Sequence, residues 1–184
     1  MFIGDCMRVI SGKYKGRIIK GFDINGTRPT MDRVKESMFA IIQNYLKGAI
    51  VLDLFAGSGN LGIESLSNGS ICAYFVDNNK IATNLIKENI EKINIEEETY
   101  ILNIDYLDAL NNFKKNNIKF DIIFLDPPYK DKLDSIINYI YENNLLNKEG
   151  IIVLEYEIKP NIQNYNLLKE KKYGSKGVMV LGKI

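Results

Sequence analysis

The chain has 184 residues, 46% apolar and 26% charged, enough for one globular domain with a sizeable core. It contains no histidine, which excludes His-based triads, His general bases and zinc sites built on His, and its two cysteines, Cys6 and Cys72, give no metal-binding spacing. No apolar run approaches the roughly 20 residues needed to span a bilayer, and the N-terminus lacks a basic region followed by an apolar stretch, so a cytoplasmic location is expected.

The net charge of +1 is unevenly spread. Residues 1–35 contain eight bases (Arg8, Lys13, Lys15, Arg17, Lys20, Arg28, Arg33 and Lys35) against three acids, with glycines and Tyr14 interleaved. This reads as a basic edge for phosphate contacts, or as a solvated hairpin with routine surface charge. Gly12, Gly16 and Gly21 punctuate short extended pieces over 7–26, which predicts a small hairpin. Residues 31–46 carry Met31, Val34, Met38, Phe39, Ile42 and Leu46 at helical spacing, so one face of a helix packs on the body.

From residue 49 onward, strands and helices alternate. Residues 49–62 read as an apolar strand ending in Asp53-Leu54-Phe55, a turn through Ala56, Gly57 and Gly59, and a helix over 60–68 that includes Gly62. Gly57, Gly59 and Gly62 permit a tight turn and close approach of a ligand. Such a glycine pattern is weak by itself, but here it lies between a strand and a helix with an acid before it. A carboxylate at that point suits a cationic or amino-bearing ligand better than a pyrophosphate. S-adenosylmethionine, with its ammonium and sulfonium, is such a ligand.

The next strand, 71–76, holds Cys72 as a small buried apolar residue and ends at Asp77-Asn78-Asn79. A carboxylate there can accept from two ribose hydroxyls. The same residues also read as an N-cap for a helix over 79–93. Asp105 follows a strand at 99–103 and stands either near an adenine or as the cap of a helix over 106–116.

The apolar strand at 121–125 ends in Asp126-Pro127-Pro128-Tyr129. The prolines fix φ and lack N–H groups, so the strand stops there and the turn is stiff. The Asp126 carboxylate and a proline carbonyl can accept both hydrogens of a planar amino group, while Tyr129 stacks on its ring. The alternative is a strand-ending loop with a surface tyrosine. A helix over 132–145, a strand over 150–155 and a terminal hairpin (165–173 and 177–183 around Gly174-Ser175-Lys176-Gly177) complete the chain.

This alternation predicts an α/β fold with a mostly parallel sheet covered on both faces. Ligands in such sheets bind beyond the carboxyl ends of the strands. Asp53, Asp77, Asp105 and Asp126 all fall at or just after such ends, so they are expected to converge on one cleft.

Together these features resemble a Rossmann-like class I methyltransferase that uses S-adenosylmethionine. The resemblance narrows to one family through three segments: Arg28-Pro29-Thr30-Met31-Asp32-Arg33-Val34-Lys35-Glu36, Asp53-Leu54-Phe55-Ala56-Gly57-Ser58-Gly59 with Leu61-Gly62-Ile63-Glu64, and Met7-Arg8-Val9-Ile10-Ser11-Gly12 with Lys13-Tyr14-Lys15-Gly16-Arg17. The chain is similar to the RsmD family of bacterial 16S rRNA guanine-N2 methyltransferases over nearly all of residues 7–184.

The resemblance implies a seven-stranded sheet with one antiparallel strand. It also implies methylation of one guanine amine in 16S rRNA, within a small ribosomal subunit or its assembly intermediate, with no metal and no membrane partner. On this reading residues 1–184 form a single methyltransferase domain. Residues 1–6 are then a candidate extension with Met7 as start, 7–47 a basic hairpin and helix, and 48–184 the cofactor-binding and catalytic core. Asp126, Pro127, Pro128 and Tyr129 hold the target base. Asp53, Phe55, Ala56, Gly57, Gly59, Gly62, Asp77, Asn78 and Asp105 hold the cofactor. Arg8, Lys13, Lys15, Arg17, Arg28 and Arg33 contact RNA.

Rival readings share parts of this pattern. The Asp-Pro-Pro-Tyr ledge also resembles that of DNA adenine-N6 methyltransferases and of glutamine-amide methyltransferases. The 28–39 segment and the lack of an evident target-recognition domain favour the rRNA enzyme. A nicotinamide dehydrogenase is disfavoured by the acid before the glycine turn and by the ledge, and a non-enzymatic RNA-binding factor by the intact acids.

Overall fold

The computed structural model describes residues 6–21, 28–127 and 133–184, with the backbone alone for 28–32. Pro128 and Tyr129 lie outside these residues, as does the side chain of Arg28.

A short antiparallel hairpin opens the chain, β1 (Cys6–Arg8) with β2 (Ile18–Lys20), as the glycine punctuation predicts. Helix α1 runs over Arg28–Leu46, three residues earlier than its apolar periodicity indicates. Pro29 lies in its first turn, where a missing N–H costs nothing. Then follow β3 (Ile50–Asp53), α2 (Asn60–Ser67), β4 (Cys72–Val76), α3 (Lys80–Ile93), β5 (Thr99–Leu102), α4 (Tyr106–Lys115), β6 (Phe120–Leu125), α5 (Leu133–Glu142), β7 (Leu146–Tyr156), β8 (Tyr165–Tyr173) and β9 (Lys176–Lys183).

Apart from the β1–β2 hairpin, the described strands form a seven-stranded sheet in the order β5-β4-β3-β6-β7-β9-β8. The first five are parallel, and β9 runs antiparallel to both of its neighbours. The order reverses between β3 and β6, the switch point at which ligands of doubly wound sheets bind. β7 is longer than the expected 150–155. Leu146 pairs with Phe120 and Ile151 with Ile122, so three extra residues of β7 bulge out between the two pairs. Asn147-Lys148-Glu149-Gly150 reads as a turn for that reason.

Alternate residues of each strand feed opposite cores, the period-two rule of a pleated strand. Val51, Ile122, Ile151, Val178 and Val180 face α1, α2 and α3, where Phe39 stacks on Phe124 with ring centroids 5.9 Å apart. Leu52, Ile123, Ile152, Met179 and Leu181 face α4 and α5. The sheet is thus covered on both faces, and its strand ends are left to build a site. No helix among the described residues is long and apolar enough to cross a membrane.

Candidate active site at the carboxyl ends of the strands

Register places the acids. Asp53 is level with Phe75 on β4 and with Phe124 on β6, so Asp77 and Asp126 each stand two residues beyond it on the flanking strands. The Asp53 carboxyl is only 3% exposed, and its Oδ2 accepts from the Gly62 N–H at 3.2 Å. Burial is the main cause that pushes its pKa up from 3.8 to about 7, with the negative charges of Asp126 and Asp77 adding to it against the Gly62 hydrogen bond. Of the four acids expected to converge, Asp77 and Asp126 thus flank Asp53 on the neighbouring strands, and both charges act on it.

The glycine turn is stitched to the strand ends around it. Ala56 donates to the Val76 carbonyl at 3.0 Å, and Gly59 donates to the Ala56 carbonyl at 2.7 Å. Asp77 clamps the turn from the side. Its Oδ2 accepts from the Gly57 N–H and its Oδ1 from the Asn79 N–H, each at 2.9 Å. Asp77 is not the cap of α3, since Asn79 caps it by accepting from the Ile81 N–H at 2.9 Å. Each Asp77 oxygen keeps acceptor capacity beyond the one bond described. Asn78 is exposed beside it. Asp105 caps α4, with Oδ1 accepting from the Leu107 N–H at 2.9 Å, and its carboxylate is exposed.

The three glycines do different work. Gly57 has φ +54 and open space where a Cβ would stand, so its backbone can meet a ligand. Gly59 has φ +77 and lies against Ile86 and Phe75. Gly62 is an ordinary helical residue whose added Cβ would stand 2.3 Å from the Phe75 ring. It is small so that α2 can lie close on β4, which corrects the expectation that it serves ligand approach.

Phe55 and Tyr106 add an aromatic wall, with ring centroids 5.4 Å apart. Tyr106 follows directly on the strand-end acid Asp105, a signal the motif reading left unused. At the end of β6, Asp126 is exposed and Pro127 is buried, so the ledge begins as a fixed backbone carrying an accessible carboxylate. A separate cleft of about 320 Å³, lined in part by Lys119, Asn147 and Lys183, opens at the opposite ends of the strands.

The N-terminal basic segment divides. Arg8, Lys13, Lys15, Arg17, Lys20 and Arg33 are exposed. Lys13 lies over the Tyr14 ring at 5.0 Å, and the contact with Tyr14 raises its pKa above the ordinary lysine value. Tyr14 itself is buried in the core, so it is not an interleaved stacking surface. Lys35 is 4% exposed and belongs to the interior. Its Nζ lies 3.2 Å from Glu64 Oε2 and donates to the Arg8 carbonyl at 3.0 Å and to Asn60 Oδ1 at 2.7 Å.

Glu64 is fully buried and also accepts from the Ile10 and Ser11 N–H groups at 2.9–3.1 Å. This pair knots the hairpin, α1 and α2 together. Both residues lie in the family-like segments, and only an acid on the buried face of α2 hints at the role. Cys72, expected as a buried apolar residue, is half-buried, and that burial raises its thiol pKa.

A family model described as conserved hypothetical protein 95 matches residues 7–182. YlbH of Bacillus subtilis is 40% identical over 182 residues, covering 96% of this chain and 99% of that protein. The ribosomal RNA small subunit methyltransferase D of Haemophilus influenzae is 38% identical over 173 residues, covering 91% and 89%. Among solved structures, yhhF of Escherichia coli superposes with a TM-score of 0.86 at 28% identity, covering 97% of this chain and 98% of that one. A Bacillus cereus O-methyltransferase in complex with SAH shares the fold alone, with a TM-score of 0.70 at 15% identity over 88% and 84% of the two chains.

Proposed function

The chain belongs to the RsmD family, whose model spans residues 7–182, and from that membership we propose that it methylates the exocyclic N2 amine of a guanine in small-subunit rRNA, with S-adenosylmethionine as donor. The observation that carries this reading is the family match over residues 7–182, and the cluster of Asp53, Asp77 and Asp126 at the switch point of the sheet, beside a glycine turn, supports the donor site.

The residues present fit the donor. A buried carboxyl with its pKa near 7 is stabilised as an anion by a nearby cation, and the cofactor's ammonium would supply one to Asp53. Gly57 leaves room at the turn, Asp77 has acceptor capacity for ribose hydroxyls, and the Phe55–Tyr106 wall offers an apolar surface to an adenine. Bound there, S-adenosylmethionine supplies an electrophilic methyl on a sulfonium.

The protein's own residues then align the acceptor. The guanine amine is a poor nucleophile because its lone pair is delocalised into the ring. Asp126 and the Pro127 carbonyl accept its two hydrogens, which localises the lone pair and aims it. Tyr129 holds the base by stacking, worth roughly 1–3 kcal/mol. The guanine must leave its stack to reach this ledge. Once the nitrogen has gained the methyl it is cationic, and its proton can leave to water. Exposed Arg8, Lys13, Lys15 and Arg17 on the N-terminal hairpin, with Arg28 and Arg33 near the start of α1, would take the surrounding phosphates.

Incubation with methyl-labelled S-adenosylmethionine and small-subunit particles, deproteinised rRNA or duplex DNA tests the reading. Label should enter an RNA substrate. Asp126→Ala should lower transfer at least about 10²–10³-fold while the donor still binds. Label entering DNA alone would overturn the RNA assignment, and full activity of Asp126→Ala would remove the ledge from the mechanism.

A further inference from the structure

We propose that the β8–β9 hairpin is a second RNA-binding arm, gripping the substrate together with the N-terminal hairpin from the other side of α1. The proposal rests on the rRNA reading above and adds to it the surface on the Asp126 side of the cleft.

The positive charge of the chain lies at its two ends. Residues 165–184 hold five lysines and one acid, and residues 1–35 hold eight bases and three acids. Residues 36–164 hold 11 bases and 19 acids. The near-neutral total therefore hides an acidic body between two basic ends. A polyanion is repelled by such a body and drawn to the ends.

The fold brings both ends to one helix. Lys35 on α1 donates to the Arg8 carbonyl of the N-terminal hairpin at 3.0 Å. Two residues on, Ser37 Oγ accepts from Lys171 Nζ of β8 at 2.7 Å. The β8–β9 register opposes Lys169 to Val180, Lys171 to Val178 and Tyr173 to Lys176. Directly opposed residues leave an antiparallel pair on the same face. Val178 and Val180 are buried on the α1 side, so Lys169, Lys171 and Lys176 form a row on that side. Glu170, the one acid of the segment, points the other way. It accepts from the Tyr156 hydroxyl, and from Lys159 at 3.0 Å.

The row ends at the candidate catalytic ledge. The β6–β7 register pairs Leu125 with Leu154, which sets Glu155 beside Asp126. Lys176 Nζ lies 2.9 Å from Glu155 Oε1 and 4.0 Å from Glu157 Oε1, and its side chain is half exposed. The Glu155 bond chiefly, with Asp126 further off, holds the Lys176 pKa above the ordinary lysine value. Exposed ion pairs of this kind are worth about 0–1 kcal/mol, too little to stop Lys176 from exchanging a carboxylate for a phosphate. Lys176 thus offsets the acidic mouth where the sugar–phosphate backbone of a flipped guanine must pass, and Lys171 and Lys169 continue the track along β8.

The test is the salt dependence of RNA binding by the whole protein and by K169Q/K171Q/K176Q, with K169R/K171R/K176R as the charge-preserving control. Affinities for a small-subunit rRNA fragment and for the small-subunit particle would be measured at three salt concentrations, alongside calorimetry of S-adenosylmethionine binding. The glutamine variant should bind the cofactor like the parent, bind RNA more weakly, and lose about 0.7–0.9 of log–log salt slope per phosphate contact removed. The arginine variant should keep the parental slope. An unchanged slope in the glutamine variant, with the parent binding and methylating RNA, would overturn the second arm and leave the rRNA reading standing. A parent that binds neither substrate would overturn both.

Discussion

Among the described residues, two carboxylates lie almost out of water, and their surroundings are opposite. Glu64, fully buried in α2, has the Lys35 ammonium at 3.2 Å and accepts from the N–H groups of Ile10 and Ser11. Asp53, 3% exposed at the end of β3, has the Gly62 N–H at 3.2 Å and feels the charges of two further acids, which help hold its pKa near 7. A buried charge that is paired and hydrogen-bonded is structural. A buried carboxyl whose pKa is raised chiefly by burial, and further by like charges, is suited to a cation from outside. The region around Glu64 ties the N-terminal hairpin to the body, and the region around Asp53 is the one proposed for the cofactor.

The largest effect on stability should come from breaking the satisfied pair. Glu64→Ala strands the Lys35 ammonium and two backbone donors, and should cost about 3–5 kcal/mol. Each kcal/mol lowers the melting midpoint by about 2–4 °C in a chain of this size. Replacing both partners, Lys35→Met with Glu64→Leu, should recover part of the loss, because no unpaired charge is then buried, although the Ile10 and Ser11 N–H groups, the Arg8 carbonyl and Asn60 Oδ1 lose their partners. A melting temperature unmoved by Glu64→Ala would erase the contrast between the two acids.

Asp53→Asn should act in the opposite sense on the apo protein. The folded pKa of Asp53 lies above its unfolded value of 3.8, so its contribution to stability is fully present below that value and is lost as pH rises through about 7. Asparagine removes this loss. The apo variant should therefore melt higher than the parent at pH 8 and differ little at pH 4. The same variant should bind S-adenosylmethionine more weakly, by about 100-fold or more if the ammonium pairs with the carboxylate. In the parent, cofactor binding near pH 7 should release protons from Asp53, read as a dependence of the calorimetric heat on the buffer. A variant that melts like the parent at pH 8 and binds the cofactor equally well would make Asp53 a second structural acid.

A smaller effect is expected at Asp77. Asp77→Ala removes the acceptor of the Gly57 and Asn79 N–H groups and, on the proposed reading, of the ribose hydroxyls. It should weaken cofactor binding by about 1–3 kcal/mol, measured by titration calorimetry on the folded variant. A loss of thermal stability with unchanged affinity would confine Asp77 to clamping the turn.

The strand-end acids were legible because strands announce themselves by apolar runs and stop at prolines, glycines and acids. The parallel α/β pattern put Asp53, Asp77, Asp105 and Asp126 at one edge of the sheet, and the strand order, seen only in the fold, sets Asp77 and Asp126 on the two strands flanking Asp53. The turn residues Gly174-Ser175-Lys176-Gly177 gave the terminal hairpin, and the family resemblance its antiparallel strand in the sheet. Charge was less legible, because sequence does not say which bases are exposed. Lys35 reads like its basic neighbours until α2 is folded against α1 and gives it Glu64. Gly62 reads like Gly57 until the Phe75 ring lies 2.3 Å from where its Cβ would stand. Both depend on contacts between elements far apart in the chain, which local pattern does not carry. The two roles read at Asp77-Asn78-Asn79 separate in the fold, since Asn79 caps α3 while one acceptor of Asp77 is turned to the glycine loop.

The measurement that bears most directly on rRNA guanine methylation is mass-spectrometric mapping of modified nucleosides in 16S rRNA from a strain lacking this protein. One N2-methylguanosine should disappear from the small-subunit rRNA. It should return when the parent gene is restored, and stay absent when Asp126→Ala is supplied at equal abundance. An unchanged set of rRNA methyl groups in the deletion strain, or full restoration by Asp126→Ala, would contradict the assignment.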